Sequence, residues 1–193
     1  MKTYFASKQI KYDGSQIEAH WAYKTFDISG DNIVSFSGLC DITPDYMVDL
    51  EDLKNNERIY SPLMLHFIIE HFDSDLDKAI LRQRLLSMIV KETLEDKIGH
   101  KLTRQGDDIF DGPAKLSISI ATATPISTKI HFGINIESQG TPVLTRGLKD
   151  YFKRYSVTML NRFIKRFAQT VMKRYAEELL AINHARSKVR GVK

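Results

Sequence analysis

The period of apolar and polar positions changes several times along the 193-residue chain. Residues 2–10 and 32–37 read as strands, separated by a turn at Asp13-Gly14-Ser15. Between them, Ile17 to Phe26 reads as a short helix carrying Trp21 and Tyr23. Residues 41–58 form an acidic, turn-rich loop. Met64 to Phe72 is a compact apolar run between Pro62 and Asp73, which predicts a buried strand. Ser74 or Asp75 then caps a helix whose core stripe is Leu81, Leu85, Met88 and Ile89, supported by Leu86 and Val90 and ended by Gly99. Strands follow at 100–104, 107–110, 115–123 and 129–137, with Pro125 separating the last two in a hairpin-like connection. From Gly147 to about Ile182, Leu148, Phe152, Tyr155, Met159, Phe163, Phe167, Val171 and Tyr175 recur every three or four residues. That spacing predicts one long helix or two, with a single apolar face. The order strand, helix, strands, helix, with local antiparallel pairing, is an α+β pattern. The length suits one domain: a core of residues 1–140, a helical segment of about 147–183 and a basic, frayed tail at 184–193.

Composition narrows this picture. No apolar run is long enough to cross a bilayer, and Met-Lys-Thr-Tyr-Phe-Ala-Ser-Lys at the N-terminus has no extended apolar stretch of the secretory kind. A lone cysteine, Cys40, excludes an intrachain disulfide framework and a multi-thiolate zinc site. Its neighbours Phe36, Leu39 and Ile42 mark it as a buried, inert thiol, and a reducing cytoplasm is the expected setting. Charge is uneven. Residues 144–193 hold 13 Lys/Arg against Asp150, Glu177 and Glu178, a net of +10, whereas the remainder carries −6. Two readings stay open: a basic helix lying against its own acidic domain, or a surface for an acidic protein partner. Nucleic acid is the weaker expectation, because no nucleic-acid-binding motif accompanies the charge.

Candidate chemistry concentrates between residues 104 and 137. Asp107 and Asp108 open a strand, a Gly112-Pro113 turn follows, and Lys115 enters a strand in which Leu116, Ile118 and Ile120 alternate with Ser117 and Ser119. Lys115 is either a clamp for an anionic ligand or an exposed strand-end lysine beside a solvated turn. His66 and His71, five residues apart, point to opposite faces of a strand and do not share a metal; His66 reads as either a satisfied core histidine or a pocket one. Arg82 and Arg84 do not share a helix face, so one reaches the pocket and the other solvent. Asp41, Asp45, Asp49, Glu51 and Asp52 fit no EF-hand spacing and read as a solvated acidic loop, with Asp49 and Asp52 candidates to face the pocket.

Arg104-Gln-Gly-Asp-Asp-Ile-Phe, the turn, Lys115-Leu-Ser and then Ile130-His-Phe-Gly-Ile-Asn-Ile resemble the central motif of the biotin–protein and lipoate–protein ligase superfamily. Four further phrases resemble one branch of it, the domain-of-unknown-function 366 family: Gly30-Asp-Asn-Ile-Val-Ser-Phe-Ser-Gly, Met47-Val-Asp-Leu-Glu-Asp, Met64-Leu-His-Phe-Ile-Ile-Glu-His-Phe and Leu81-Arg-Gln-Arg-Leu-Leu. The resemblance implies a central mixed, mainly antiparallel sheet packed with helices, similar to the class II aminoacyl-tRNA synthetase fold. It implies an acyl-acid ligase or acyltransferase working through an acyl-adenylate or an acyl carrier. Lys115 would be the catalytic electrostatic clamp. Asp107 and Asp108 would hold magnesium. Arg104, Ser117, His131, Asn135 and His66 would bind substrate, Arg104 through a phosphate. ATP and magnesium are the implied cofactors, and a small carboxylic acid or acyl carrier protein the implied partner, with a homodimer open. The chain departs from the superfamily in three ways. It lacks the glycine-rich nucleotide loop, it has no basic residue between Lys24 and Lys54, and Ile118 stands where the family has glycine after the lysine. A transferase without ATP therefore stays open. So does a non-catalytic module that binds a small anion, or a protein through the basic C-terminal helix.

Overall fold

The computed structural model describes residues 1–192. Its strands are β1 (Lys2–Phe5), β2 (Asn32–Asp41), β3 (Tyr60–His71), β4 (Thr103–Gln105), β5 (Asp108–Asp111), β6 (Ala114–Lys115), β7 (Ser117–Ala123) and β8 (Thr128–Asn135). Its helices are α1 (Trp21–Phe26), α2 (Leu50–Asn55), α3 (Leu76–Ile98), α4 (Leu148–Tyr151) and α5 (Val157–Lys188). The main sheet has the order β1-β2-β3-β8-β7, and a small sheet has the order β4-β5-β6. Only β1 and β2 are parallel; the other pairs are antiparallel. The fold is thus α+β, a mixed, mainly antiparallel sheet packed with helices.

Burial on both faces explains why β3 reads as a continuous apolar run rather than an alternating one. Leu65, Phe67 and Ile69 face α3 and α5, where they pack with Leu86, Val90, Phe167 and Val171. Met64 and Ile68 face the opposite layer, with Tyr12, Ala22 and Cys40. His66 and His71 do point opposite ways: His66 bonds within the Tyr12 layer, and His71 Nε2 meets the Tyr175 hydroxyl of α5 at 3.1 Å. Helix α3 begins at Asp75, whose side chain accepts from the Lys78 N–H at 3.0 Å. It ends at Gly99, in the left-handed conformation with φ 76°.

Element boundaries moved where long-range pairing outweighs local pattern. β1 stops at Phe5, and residues 10–12 join β2 by separate backbone bonds at Ile10 and Tyr12 rather than as a continued strand. Residues 17–26 divide into a 3-10 turn, Ser15–Ile17, and α1. β3 starts at Tyr60 and runs through Pro62, which a register shift opposite Gly38 and Cys40 accommodates. The loop at 41–58 contains α2, N-capped by the Asp49 carboxylate. The segment predicted as one strand, 115–123, is divided at Leu116, where the chain passes from the small sheet to the main one. The C-terminal pattern is two helices, and α5 continues past Asn183 to Lys188 rather than fraying there.

Some of the basic excess in the C-terminal segment meets the chain's own acids. Arg174 bonds Glu92, Lys149 bonds Glu137 at 2.6 Å, and Arg146 bonds Asp111 at 2.7 Å. Of these three, Arg174 alone lies on α5, so the pairing is mostly with the residues that precede the basic helix.

Candidate functional site

Lys115 stands where the two sheets meet, and its backbone is fixed from both sides. Its N–H donates to Leu144 O, and its carbonyl accepts from the Arg146 N–H, each at 3.0 Å. The next residue, the buried Leu116, donates to Ile109 O at 2.8 Å and accepts from the Asn135 N–H at 2.9 Å. These bonds stop the strand from sliding, so the Lys115 stem has a defined origin. Its Nζ lies 2.8 Å from Asp108 Oδ2, at the edge of a cavity of about 280 Å3. Asp107, Ser117, Ile118 and Asn135 also line the cavity. The far wall comes from the 49–61 segment and includes Asp49, Asp52, Glu57 and Ser61.

Electrostatics distinguish the carboxylates. Burial raises Asp108 above the usual carboxylate range, with neighbouring Asp107 adding to it and the Lys115 ammonium pulling it down. Burial, Asp49 and Glu57 raise Asp52, and Lys115 acts on it in the lowering direction. Asp107 is committed to α3: Gln83 Nε2 donates to it at 2.8 Å, the Arg84 guanidinium pairs with it, and Ser87 Oγ donates to its carbonyl at 2.6 Å. Gln83 also donates to Ser119 Oγ, which in turn donates to His131 O at 2.7 Å. Asp107, next to Asp108, is therefore anchored to α3 by three of its residues, which suits a site that must hold its geometry.

Of the residues expected from sequence, Lys115, Asp107, Asp108, Ser117 and Asn135 come together around this cavity. Ser117 Oγ accepts the Ile109 N–H at 2.9 Å, so it also joins β5 to β7. Arg104 is outside the lining; it is exposed on β4, and its guanidinium turns to the Gly106 carbonyl. The arginine that does approach is Arg84, through Asp107, while Arg82 bonds Asp73 at 2.8 Å.

His66 and His131 are also outside the lining. Their strands are central, and both rings are buried beneath Tyr12, which stacks on His131 with centroids 3.7 Å apart. His66 Nε2 lies 3.2 Å from the Gly38 carbonyl, which can only accept, so it carries the proton. Its Nδ1 then accepts from His131 Nε2 at 3.0 Å. Burial pushes His66 down to about 3 and lowers His131 as well, so the pair is neutral at ordinary pH. Burial likewise pushes the Cys40 thiol up to about 12, in keeping with an inert core thiol. Ser61 was missed in the sequence because β3 was expected to begin at Met64; no local signal marks it.

The lining carries more acid than base, which opposes a triphosphate in this cavity. Two cations, Lys115 and Arg58, face Asp49, Asp52, Glu57, Asp107 and Asp108. Asp107 and Asp108 already have cationic partners within the chain. Among the described residues, no three His, Cys, Asp or Glu side chains converge to hold a metal ion. Gly38, the single glycine of Ser35-Phe-Ser-Gly, lies in β2, and a Cβ there would collide with the Ile10 carbonyl. Its smallness serves a close chain crossing, whereas a phosphate cradle needs exposed N–H groups.

A family model described as a domain of unknown function, DUF366, matches residues 1–190. The chain belongs to this family. An uncharacterized protein of Methanocaldococcus jannaschii is 43% identical over 156 residues, covering 78% of this chain and 70% of that protein. A solved Pyrococcus horikoshi protein of unknown function superposes with a TM-score of 0.88 at 37% identity, covering 100% of this chain and 99% of the other. The Aquifex aeolicus biotin protein ligase solved with biotin and ATP superposes with a TM-score of 0.59 at 14% identity, over 92% of this chain and 70% of that one. A putative lipoate protein ligase of T. acidophilum, solved with lipoic acid, has the same fold. The chain therefore shares the fold of these biotin and lipoate protein ligases. No described helix is long and apolar enough to cross a membrane.

Proposed function

We propose that the cavity beside Lys115 takes the acyl end of a small carboxylic acid, and that the protein acts in acyl transfer from an already activated donor. One observation carries the reading: an ammonium fixed by Asp108 at 2.8 Å, on a backbone bonded at both ends, facing a cavity in a ligase-type fold. In acyl transfer the carbonyl oxygen gains negative charge as an acceptor nucleophile attacks and the leaving group departs. A cation held in place before that moment stabilises the charge without reorganising. Lys115 has that role. Asp108 positions it, and with its affinity for protons raised it is also suited to take the proton an acceptor amine loses. The acidic lining disfavours a triphosphate, which supports a donor activated elsewhere, such as an acyl carrier.

The test is a thermal-shift and calorimetric titration of wild type and Lys115→Met with short carboxylic acids and their thioesters, with ATP–magnesium as a comparison. A ligand that binds only the folded chain raises Tm with its occupancy. The expected result is a shift with an acid or thioester that disappears in Lys115→Met. Equal shifts in the two proteins would sink the reading, and a shift with ATP–magnesium would restore the adenylating alternative.

A further inference from the structure

Resting on that reading, we infer that the acid bound beside Lys115 is an amino-carboxylic acid, its ammonium received by Asp52, Glu57 and Ser61 on the opposite wall. The two walls differ in charge. On one, the Lys115 ammonium is paired with Asp108 and remains partly exposed to the cavity. On the other, Asp49, Asp52 and Glu57 lie close enough that Asp49 and Glu57 raise Asp52. The nearby cations are committed elsewhere: Arg58 reaches Asp41 at 3.5 Å, and Lys115 reaches Asp108. Asp49 Oδ1 is engaged in capping α2, at 2.8 Å from the Glu51 N–H. Asp52 and Glu57 are left facing the cavity with no ion-pair partner among the described residues.

An acidic wall alone would be a solvated surface, but Ser61 gives a second, independent indication. It lines the same cavity, is 2% exposed, and its Oγ has no hydrogen-bond partner. An unpaired buried hydroxyl costs free energy, and native structures rarely leave one without a reason. An incoming group with several N–H donors satisfies both defects together. An ammonium has three donors and a positive charge. A bare metal ion is the poorer occupant, since no three acidic, His or Cys side chains converge among the described residues. The carboxylate or acyl carbonyl of the same molecule then falls on the Lys115 side, so the cavity is polar at both ends.

The test is isothermal titration of the full chain at neutral pH with straight-chain amino acids, amine at the α or the terminal carbon. Each is paired with the alkanoate of equal length. At least one amino acid should bind about ten-fold tighter than its alkanoate, the scale of one additional charge-assisted contact. Asp52→Asn should remove that preference while leaving alkanoate binding in place. Ser61→Ala should weaken the amino acid alone, and serves as the readout if Asp52→Asn does not fold. Lys115→Met should weaken both series. Alkanoates that bind as tightly as amino acids, with Lys115 dependence intact, would overturn the ammonium subsite and leave the acyl reading standing. No binding by either series would overturn both.

Discussion

Two lysine–carboxylate pairs lie at different places in the fold, and they have opposite consequences. Lys129 and Glu70 are register partners on β8 and β3, 3.2 Å apart and only 0% and 1% exposed. The carboxylate has further partners there: Glu70 also accepts from the His20 N–H and Ser127 Oγ, each at 2.8 Å. Lys115 and Asp108 are 2.8 Å apart but 31% and 25% exposed, with a cavity alongside. The first pair is sealed and complete, so its role is to fix the register of the sheet and the approach of residue 20. The second is fixed in position but open on one side, and only such a pair can meet a ligand. Ion-pair distance alone does not separate a structural pair from a functional one; burial and satisfaction of the surroundings do.

Breaking the sealed pair should have the largest effect on folding. Lys129→Met strands the Glu70 carboxylate in the core, and urea unfolding should show a loss of about 3–5 kcal/mol. An unchanged midpoint would mean that Glu70 is protonated and the pair is not ionic. Next comes Glu95, a 7% exposed carboxylate that ties the end of α3 to Leu102. Burial alone would raise it, but Lys91, the Leu102 N–H and Lys101 hold it at about 2, below its usual 4.5. A carboxylate lowered on folding stabilises above its unfolded value and loses that contribution as acid protonates it. Stability should therefore fall from about pH 5 toward pH 2, and Glu95→Gln, costing about 2 kcal/mol at neutral pH, should flatten that part of the curve. A slope identical to wild type would exclude Glu95 as its source.

Two substitutions at the open pair sharpen the contrast. Ile118→Ala, on the cavity lining, should cost about 1–2 kcal/mol and shift ligand preference toward longer acids. Chain-length preference that stays the same in titrations would place the acyl chain elsewhere. Lys115→Met should change the midpoint by less than about 1 kcal/mol, as for other partly exposed pairs, while removing acid binding. A large stability loss would make Lys115 a structural residue like Lys129.

Much of the site was legible because it is local. Asp107, Asp108 and Lys115 fall within nine residues joined by a tight hairpin, so sequence spacing nearly determines their proximity. The capped α3 and the doubly buried β3 were equally readable, the first from Asp75 and Gly99, the second from an unbroken apolar run. Arg104 was misplaced because its position in the phrase says nothing about its direction on the short, exposed strand β4, where its guanidinium turns to the Gly106 carbonyl. His131 was misplaced, and His66 stayed open between core and pocket, because a strand pattern does not reveal which polar residues face a sealed layer.

The sequence by itself determined the α+β class, the polarity of each major element and the lysine with its acidic neighbours, because these depend on short-range periodicity and on turns of a few residues. Only the tertiary structure decided which distant groups meet. The register of β3 against β8 places His66 beside His131, 65 positions away, and closes both off. The early start of β3 and the capped helix α2 bring Ser61 and Asp52 across from Lys115. Such meetings are set by the free energy of packing the whole sheet against α3 and α5, and no window of local sequence contains it.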